Sequence, residues 1–255
     1  MPDQDPIIRV EDLTAGYDGD ILLDHLHFEV RPGEVFVILG GSGCGKSTLL
    51  KHMIGLYQPM SGRVLIGGGD IVTATGDARL AILRRFGVMY QSGALFGSMT
   101  LLENVRLPLE EFTQLDEEAR NLDALMKLDL VGLRLFAGHL PAEISGGMQK
   151  RAGIARAMAL DPIILFLDEP SAGLDPITSA ELDQTILRLA RNLGVTFVVV
   201  THELPSIFTI ADRVIMLDKV RRGIVAEGNP QELREHSPDP WVRNFFNRHV
   251  EGTSP

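Results

Sequence analysis

The chain has 255 residues, 45% of them hydrophobic, enough to bury a sizeable core as one large domain or one domain with a subdomain. A formal net charge of −10 and a pI near 5.2 argue against nucleic acid as the main partner, because binding to its backbone rests on clustered Lys and Arg. Cys44 is the single cysteine, so no intrachain disulfide can form and a reducing, cytosolic setting is expected. The opening MPDQDPIIRV lacks the basic start and apolar run of a signal peptide, and no apolar run approaches the roughly 20 residues that span a bilayer, so work at a membrane is expected to need an integral partner.

In chain order, IIRVEDL and HLHFEV read as strands of a small antiparallel layer, joined after Pro59 by RVLIGGGDI. Before that third segment, VFVIL is apolar on both faces, as a strand covered in a parallel sheet is, and it runs into GGSGCGKST. Gly40 to Ser47 fits G-x-x-x-x-G-K-[ST] in full, directly before the helix-like TLLKHMIG. The glycines let backbone N–H groups turn inward around phosphate oxygens, and the helix start adds its dipole. Lys46 then reaches the β and γ phosphates and Ser47 ligates Mg²⁺. Nucleotide contacts are expected from Gly40, Gly41, Ser42, Gly43, Cys44, Gly45, Lys46, Ser47 and Thr48, with Cys44 a spacer rather than a redox sensor.

Further apolar runs also end in polar residues: GVMY before Gln91, IILFL before Asp168, VTFVVV before Thr201 and His202, and RVIML before Asp218. Ligands of open α/β sheets bind beyond the carboxyl ends of the strands, so these motifs are expected to converge on one edge. In IILFLDE, Asp168 is expected to hold Mg²⁺, mostly through water, and Glu169 to polarise the water that attacks the γ phosphate. Taken alone, such a pair also suits a helix cap. From about residue 92 to 160 the pattern turns helical, as in LDEEARNLDALMKLDL, and predicts a helical subdomain inserted into the α/β core.

The tail reads SPDPWVRNFFNRHV. Asp239 suits a helix cap and Pro240 its first turn, which places Val242, Phe245, Phe246 and His249 on one face with Trp241 at its edge. So short a helix persists only when docked, either on the chain's own core or, as expected here, across onto a second subunit.

ISGGMQ with the helix-like KRAGIARAMAL, then FLDEPSAGLD and VVVTHE, resemble the signature helix, Walker B segment, D-loop and switch histidine of ATP-binding cassette (ABC) ATPases. The resemblance runs from Tyr17 to about Gly228. It implies the fold class: α/β, a P-loop NTPase with a RecA-like core, an antiparallel β layer and the inserted helical subdomain. The cassette would occupy residues 1–235, with a C-terminal extension over 236–255. In this family two copies face head to tail, and each ATP lies between one copy's phosphate loop and the other's signature. Ser145, Gly146 and Gly147 would then touch the γ phosphate held by the neighbour; an ordinary helix cap by Ser145 draws on the same donors. Tyr17 matches the aromatic that stacks on adenine, Gln91 the glutamine that senses Mg²⁺ and the attacking water, Asp175 the aspartate that crosses to the partner, and His202 the histidine that contacts the γ phosphate. Asp168 and Ser47, with Gln91, would be the Mg²⁺ ligands.

Met148 stands where the usual signature has Gln. Together with QSGALF after the glutamine, this looks like the branch that powers MCE-associated lipid transporters of bacterial envelopes, the MlaF type. Ser92, Ala94, Leu95 and Phe96 would lie where the cassette receives a permease. The implied partners are a second copy of the chain, an integral MlaE-like permease and an MCE-domain protein. The implied place is peripheral, on the cytoplasmic face of the inner membrane. An amino-acid importer ATPase and a soluble, non-transport cassette are the alternatives.

Overall fold

HLHFEV alternates, and the alternation sets one face of a sheet: Leu26, Phe28 and Val30 are buried while His25, His27 and Glu29 face out. In the computed structural model, which describes residues 5–17, 19–91 and 93–248, this segment belongs to β2 (Asp20–Val30), antiparallel to β1 (Ile8–Tyr17). On the other side of β1 lies β4 (Ser61–Ile66), then β5 (Gly69–Asp70), giving the order β2-β1-β4-β5. The expected third strand is thus a hairpin, turned at Gly67 and Gly68 (φ 53° and 82°), the two consecutive positive φ values of a tight two-residue turn.

The chain divides into two units, Met1–Ala74 with Val200–Pro255, and Thr75–Val199. Besides the antiparallel layer, the first contains β3 (Val35–Gly40), buried at every residue, and β9 (Arg213–Asp218), which pairs with it in parallel. β10 (Gly223–Gly228) runs antiparallel to β9. Helices α1 (Lys46–Met53), α7 (Leu204–Ile210), α8 (Pro230–His236) and α9 (Pro240–Asn247) complete it.

The second unit holds α2 (Gly76–Leu83), then β6 (Phe86–Met89), parallel to β7 (Ile164–Asp168). β8 (Thr196–Val200) lies on the other side of β7. Between β6 and β7 come α3 (Leu101–Phe112), α4 (Glu117–Leu130) and α5 (Gly146–Ala157), and α6 (Pro176–Leu193) follows β7. α3 starts in a capping box, the Thr100 hydroxyl accepting from Glu103 N while the Glu103 carboxylate accepts from Thr100 N at 2.7 Å. α6 carries an Asp-Pro start and ends at Gly194 (φ 67°).

The tail helix departs from its expected partner. α9 is capped by Asp239, as read, yet it packs on α8 of its own unit, with the Phe246 ring 5.7 Å from that of Phe208 in α7. Val242 and Phe246 are buried within the single chain, so the strongest part of the apolar face is already covered; His249 lies outside the described residues. Phe246→Ala is therefore expected to lower the unfolding free energy by about 3 kcal/mol, the usual cost of emptying a buried aromatic site. Urea unfolding checks this: a loss that vanishes on dilution would return the helix to a second subunit.

Candidate functional site

β3 ends at Gly40, where φ is 150° and a Cβ would lie 2.4 Å from the Leu217 carbonyl oxygen, so only glycine fits. The loop then turns through left-handed Gly43 and Gly45, and a Cβ added at Gly41 or Gly43 would meet no atom within 4 Å. These two positions border open space. α1 starts at Lys46 after Gly45 (φ 98°), an N-cap residue with no side chain to offer the helix, whereas Thr100, Asp116, Ser145 and Asp175 cap α3 to α6. Backbone N–H groups at a helix start, backed by the helix dipole, favour an anion.

Lys46 Nζ turns back on this loop, donating to the carbonyls of Gly40 (2.9 Å) and Gly41 (3.1 Å). Its ammonium is buried and held at the cradle. Cys44 is buried, and burial pushes its thiol pKa up against the pull of Lys46. Ser47 lies in the first turn of α1 and Ser42 is exposed on the loop. Thr48 Oγ1 sits 3.0 Å from the Tyr17 hydroxyl, and the Tyr17 ring, 38% exposed, stands edge-on to Tyr57 with centroids 5.5 Å apart. On the neighbouring side of β3, Thr201 N donates to the Ile38 carbonyl at 3.3 Å, which sets the exposed His202 at the same strand ends as Gly40. His202 Nε2 lies 3.6 Å from Glu203 Oε1.

In the second unit Asp168 closes β7, nine-tenths buried, and Glu169 follows with φ 48°. A left-handed non-glycine residue costs on the order of 1–2 kcal/mol, a strain that persists where the surrounding structure holds it and that marks candidate functional positions. Gln91, exposed after β6, accepts from Lys150 Nζ through its main-chain carbonyl. Tyr90 beside it has its phenol pushed up by burial and by Asp168.

Ser145 caps α5, its Oγ accepting from Met148 N at 3.3 Å. Gly146 and Gly147 form the first turn, which leans on the start of α6: a Cβ at Gly147 would lie 2.2 Å from Thr178 Cγ2, and one at Gly146 3.7 Å from Leu174 Cδ2. Asp175 caps α6, accepting from Ile177 N at 3.0 Å, Thr178 N at 3.1 Å and the Thr178 hydroxyl at 2.5 Å, bonds that hold its carboxyl below the usual carboxylate range. One chain therefore brings its own signature glycines against its own Asp175 turn.

Several contacts at these sites have no signal in the motifs. Thr48 as the anchor of Tyr17, Thr178 as the wall against Gly147, and Lys150 and Arg156 as donors to the segment after β6 emerge only from the fold. Asn104 is another: it is fully buried, accepting from Phe96 N at 2.8 Å and donating to the Phe96, Met99 and Thr100 carbonyls. Its one sequence signal is a polar residue on the buried face of α3 beside Leu101 and Val105. Phe96 is exposed and Leu95 half-buried, while Ser92 lies outside the described residues.

The glycine loop that follows β3 and leads into α1 is the arrangement of a P-loop nucleotide-binding protein. Residues 23–172 match the ABC transporter family. The chain is 39% identical to the intermembrane phospholipid transport system ATP-binding protein MlaF of Escherichia coli, over 98% of this chain and 91% of the relative. It is 42% identical to the probable ribonucleotide transport ATP-binding protein mkl of Mycobacterium leprae, over 94% of this chain and 68% of the relative. Among solved structures it resembles a dimeric ATP-binding cassette in a post-hydrolysis state bound to ADP and Pi, with a TM-score of 0.77 and 31% identity over 87% of this chain and 98% of that one. It also resembles cbiO1 from Clostridium perfringens, part of the transporter complex cbiONQ, with a TM-score of 0.83 and 28% identity over 96% of this chain and 97% of that one. The chain belongs to the ABC transporter family and is an ATP-hydrolysing cassette of it, with the P-loop fold class expected. Among the described residues no helix is long and apolar enough to cross a membrane.

Proposed function

We propose that this chain is the ATPase subunit of an MCE-type transporter, working as a head-to-tail homodimer beneath an MlaE-like permease on the cytoplasmic face of the inner membrane. An MCE-domain protein would complete the complex, and the cargo is phospholipid or another hydrophobic molecule. The observation that carries the nucleotide reading is the glycine loop before α1, open at Gly41 and Gly43, with the Lys46 ammonium turned back onto it. The branch is supported by Met148 in the signature, by QSGALF, and by similarity to MlaF along nearly the whole chain. The name of the mycobacterial relative points to ribonucleotide transport instead, so a nucleotide cargo is the second reading; the chain spans 68% of that relative's length.

In this reading Lys46 exchanges the Gly40 and Gly41 carbonyls for β and γ phosphate oxygens, Gly41 to Thr48 offer backbone and hydroxyl donors, and Tyr17 stacks on the adenine. Ser47, Gln91 and Asp168 are hard oxygen donors that fit Mg²⁺, which supplies charge neutralisation at the phosphates. Few protein ligands suffice because the phosphates and water complete its shell. Glu169 orients the attacking water and accepts its proton, Gln91 holds that water, and His202 donates to the γ phosphate. Ser145, Gly146 and Gly147 donate to the γ phosphate bound by the other copy, and Asp175 reaches across to it. Binding closes the dimer and hydrolysis reopens it, which drives the permease.

Mixed dimers test the arrangement. With Lys46→Ala in one copy and Ser145→Arg in the other, one site carries both defects and the other is intact. Purified heterodimers should then keep about half the wild-type turnover, while neither homodimer turns over. The forecast holds where one intact site suffices for turnover; photo-crosslinking of the γ phosphate to Ser145 of the same chain would show that each signature serves its own loop. Co-purification with a permease, followed by lipid transfer in reconstituted vesicles, tests the cargo.

A further inference from the structure

Residues 150, 153, 156 and 157 recur on one face of α5, and that face is fastened along the segment that begins with β6. Lys150 Nζ donates to the Gln91 carbonyl. One turn on, Gly153 packs against Gly93, whose Cα and O would each lie 3.2 Å from an added Cβ, with Met89 Cγ at 3.3 Å. A turn further, Arg156 donates to the Ala94 carbonyl at 2.6 Å and the Gly93 carbonyl at 3.1 Å, its guanidinium 5.9 Å from the Phe96 ring. Left-handed turns at Gly93 and Ala94 (φ 72° and 50°) bring both carbonyls to this one side chain. Finally, a Cβ at Gly87 would stand 1.9 Å from the Ala157 carbonyl oxygen. Successive turns of one helix thus hold the β6 strand and the residues after it.

Lys150 is 7% exposed. Burial pushes its ammonium pKa down, and the Glu169 and Asp168 carboxylates pull it back up, so the group that grips Gln91 is also electrostatically tied to the strand-end carboxylates. Ser145 caps the same helix five residues earlier, about 7.5 Å along its axis at 1.5 Å per residue. A helix is stiff over that distance.

We infer that Lys150 is a positioning residue for hydrolysis: by fastening the main chain of Gln91 to the signature helix, it makes the placement of the Gln91 side chain depend on whether the Ser145 end of that helix is engaged by nucleotide. The inference rests on the catalytic reading of Gln91 and Glu169. Engagement at Ser145 biases the attitude of α5, and the clamp at 150, 153 and 156 carries that bias to Gln91 as a rigid movement. A cassette whose signature has no nucleotide to hold then leaves its own Gln91 out of place, which restrains hydrolysis until the dimer closes. Arg156 holds the far end of the same clamp, and it is the charge-assisted donor that keeps the segment from swinging about Lys150 alone.

The test is a double-mutant cycle on the purified full chain, with kcat and the equilibrium affinity for ATP measured separately. Lys150→Met should lower kcat about tenfold and leave the ATP dissociation constant within about twofold, as expected for a group that acts only in the hydrolytic step. Lys150→Arg, which keeps charge and donor, should recover most of the rate. Since Lys150 acts through Gln91, Gln91→Ala with Lys150→Met should be no slower than Gln91→Ala alone. Independent, multiplying losses overturn the inference, as does an unchanged kcat in Lys150→Met, or a loss shared equally by ATP affinity and turnover. If Lys150→Met does not fold, Lys150→Leu, which likewise carries no donor, takes its place in the cycle. Turnover that survives Glu169→Gln in parallel assays sinks the reading of the site; multiplying losses with Glu169→Gln inactive sink only the role of Lys150.

Discussion

Glu169→Gln should bind ATP as tightly as the wild type and lose at least about 100-fold in turnover, the size expected when a general base is removed from a positioned water. The exchange is nearly isosteric, so the left-handed turn at Glu169 and the buried strand before it are undisturbed. What changes is the ability to accept a proton. The cradle at the start of α1 is made of backbone N–H groups and Lys46, none of which the substitution touches, so affinity is retained and the nucleotide accumulates unhydrolysed. Under the composite-site reading the variant should then collect as an ATP-bound dimer. Single-turnover hydrolysis and sedimentation with ATP check both halves: near-wild-type turnover would remove Glu169 from the reaction, and a variant that stays monomeric with bound ATP would remove the dimer.

The second large effect falls on the fold. Gly87→Ala is expected to destabilise the protein by about 3 kcal/mol, at the upper end of the usual cost of overpacking. The added Cβ would lie 1.9 Å from the Ala157 carbonyl oxygen, 2.7 Å from its carbon and 2.9 Å from Leu165 Cδ2. Two of those three atoms are backbone, so relief requires α5 to move away from β6 rather than one side chain to rotate. Because α5 holds Gln91 through Lys150, the same displacement should also reduce turnover in the folded fraction. Gly97→Ala is the control: it has no atom within 4 Å of an added Cβ, and its change should stay within about 0.5 kcal/mol. Denaturant unfolding of the two variants decides the matter, and equal stability would mean the strand and helix are not in the close contact described.

Expectations about the tail divide in an instructive way. Asp239 and Pro240 announced the start of α9 because a cap and a first-turn proline act within two or three residues of each other. Its apolar periodicity announced a docking face. Nothing in SPDPWVRNFFNRHV names the surface that receives that face, and Phe208, nearly forty residues upstream, proved to be the ring that meets Phe246.

The same division runs through the site. Gly40 to Ser47 is legible because its chemistry is local: positive φ at glycine, a glycine before the helix and a lysine one position later are all properties of neighbouring residues. The strands β3, β7 and β8, and the middle of β9, are legible because burial on both faces leaves an unbroken apolar run. The sequence by itself therefore determined the glycine loop, the carboxylates at the end of β7 and the family to which the chain belongs. Only the tertiary structure decided that Lys150 grips a carbonyl 59 residues away, that Thr48 anchors Tyr17 across 31 residues, and that Thr178 walls off Gly147. Every residue carries the same main-chain carbonyl, so a side chain that seeks one leaves no mark on its partner's identity; the pairing exists once the chain has brought the two together.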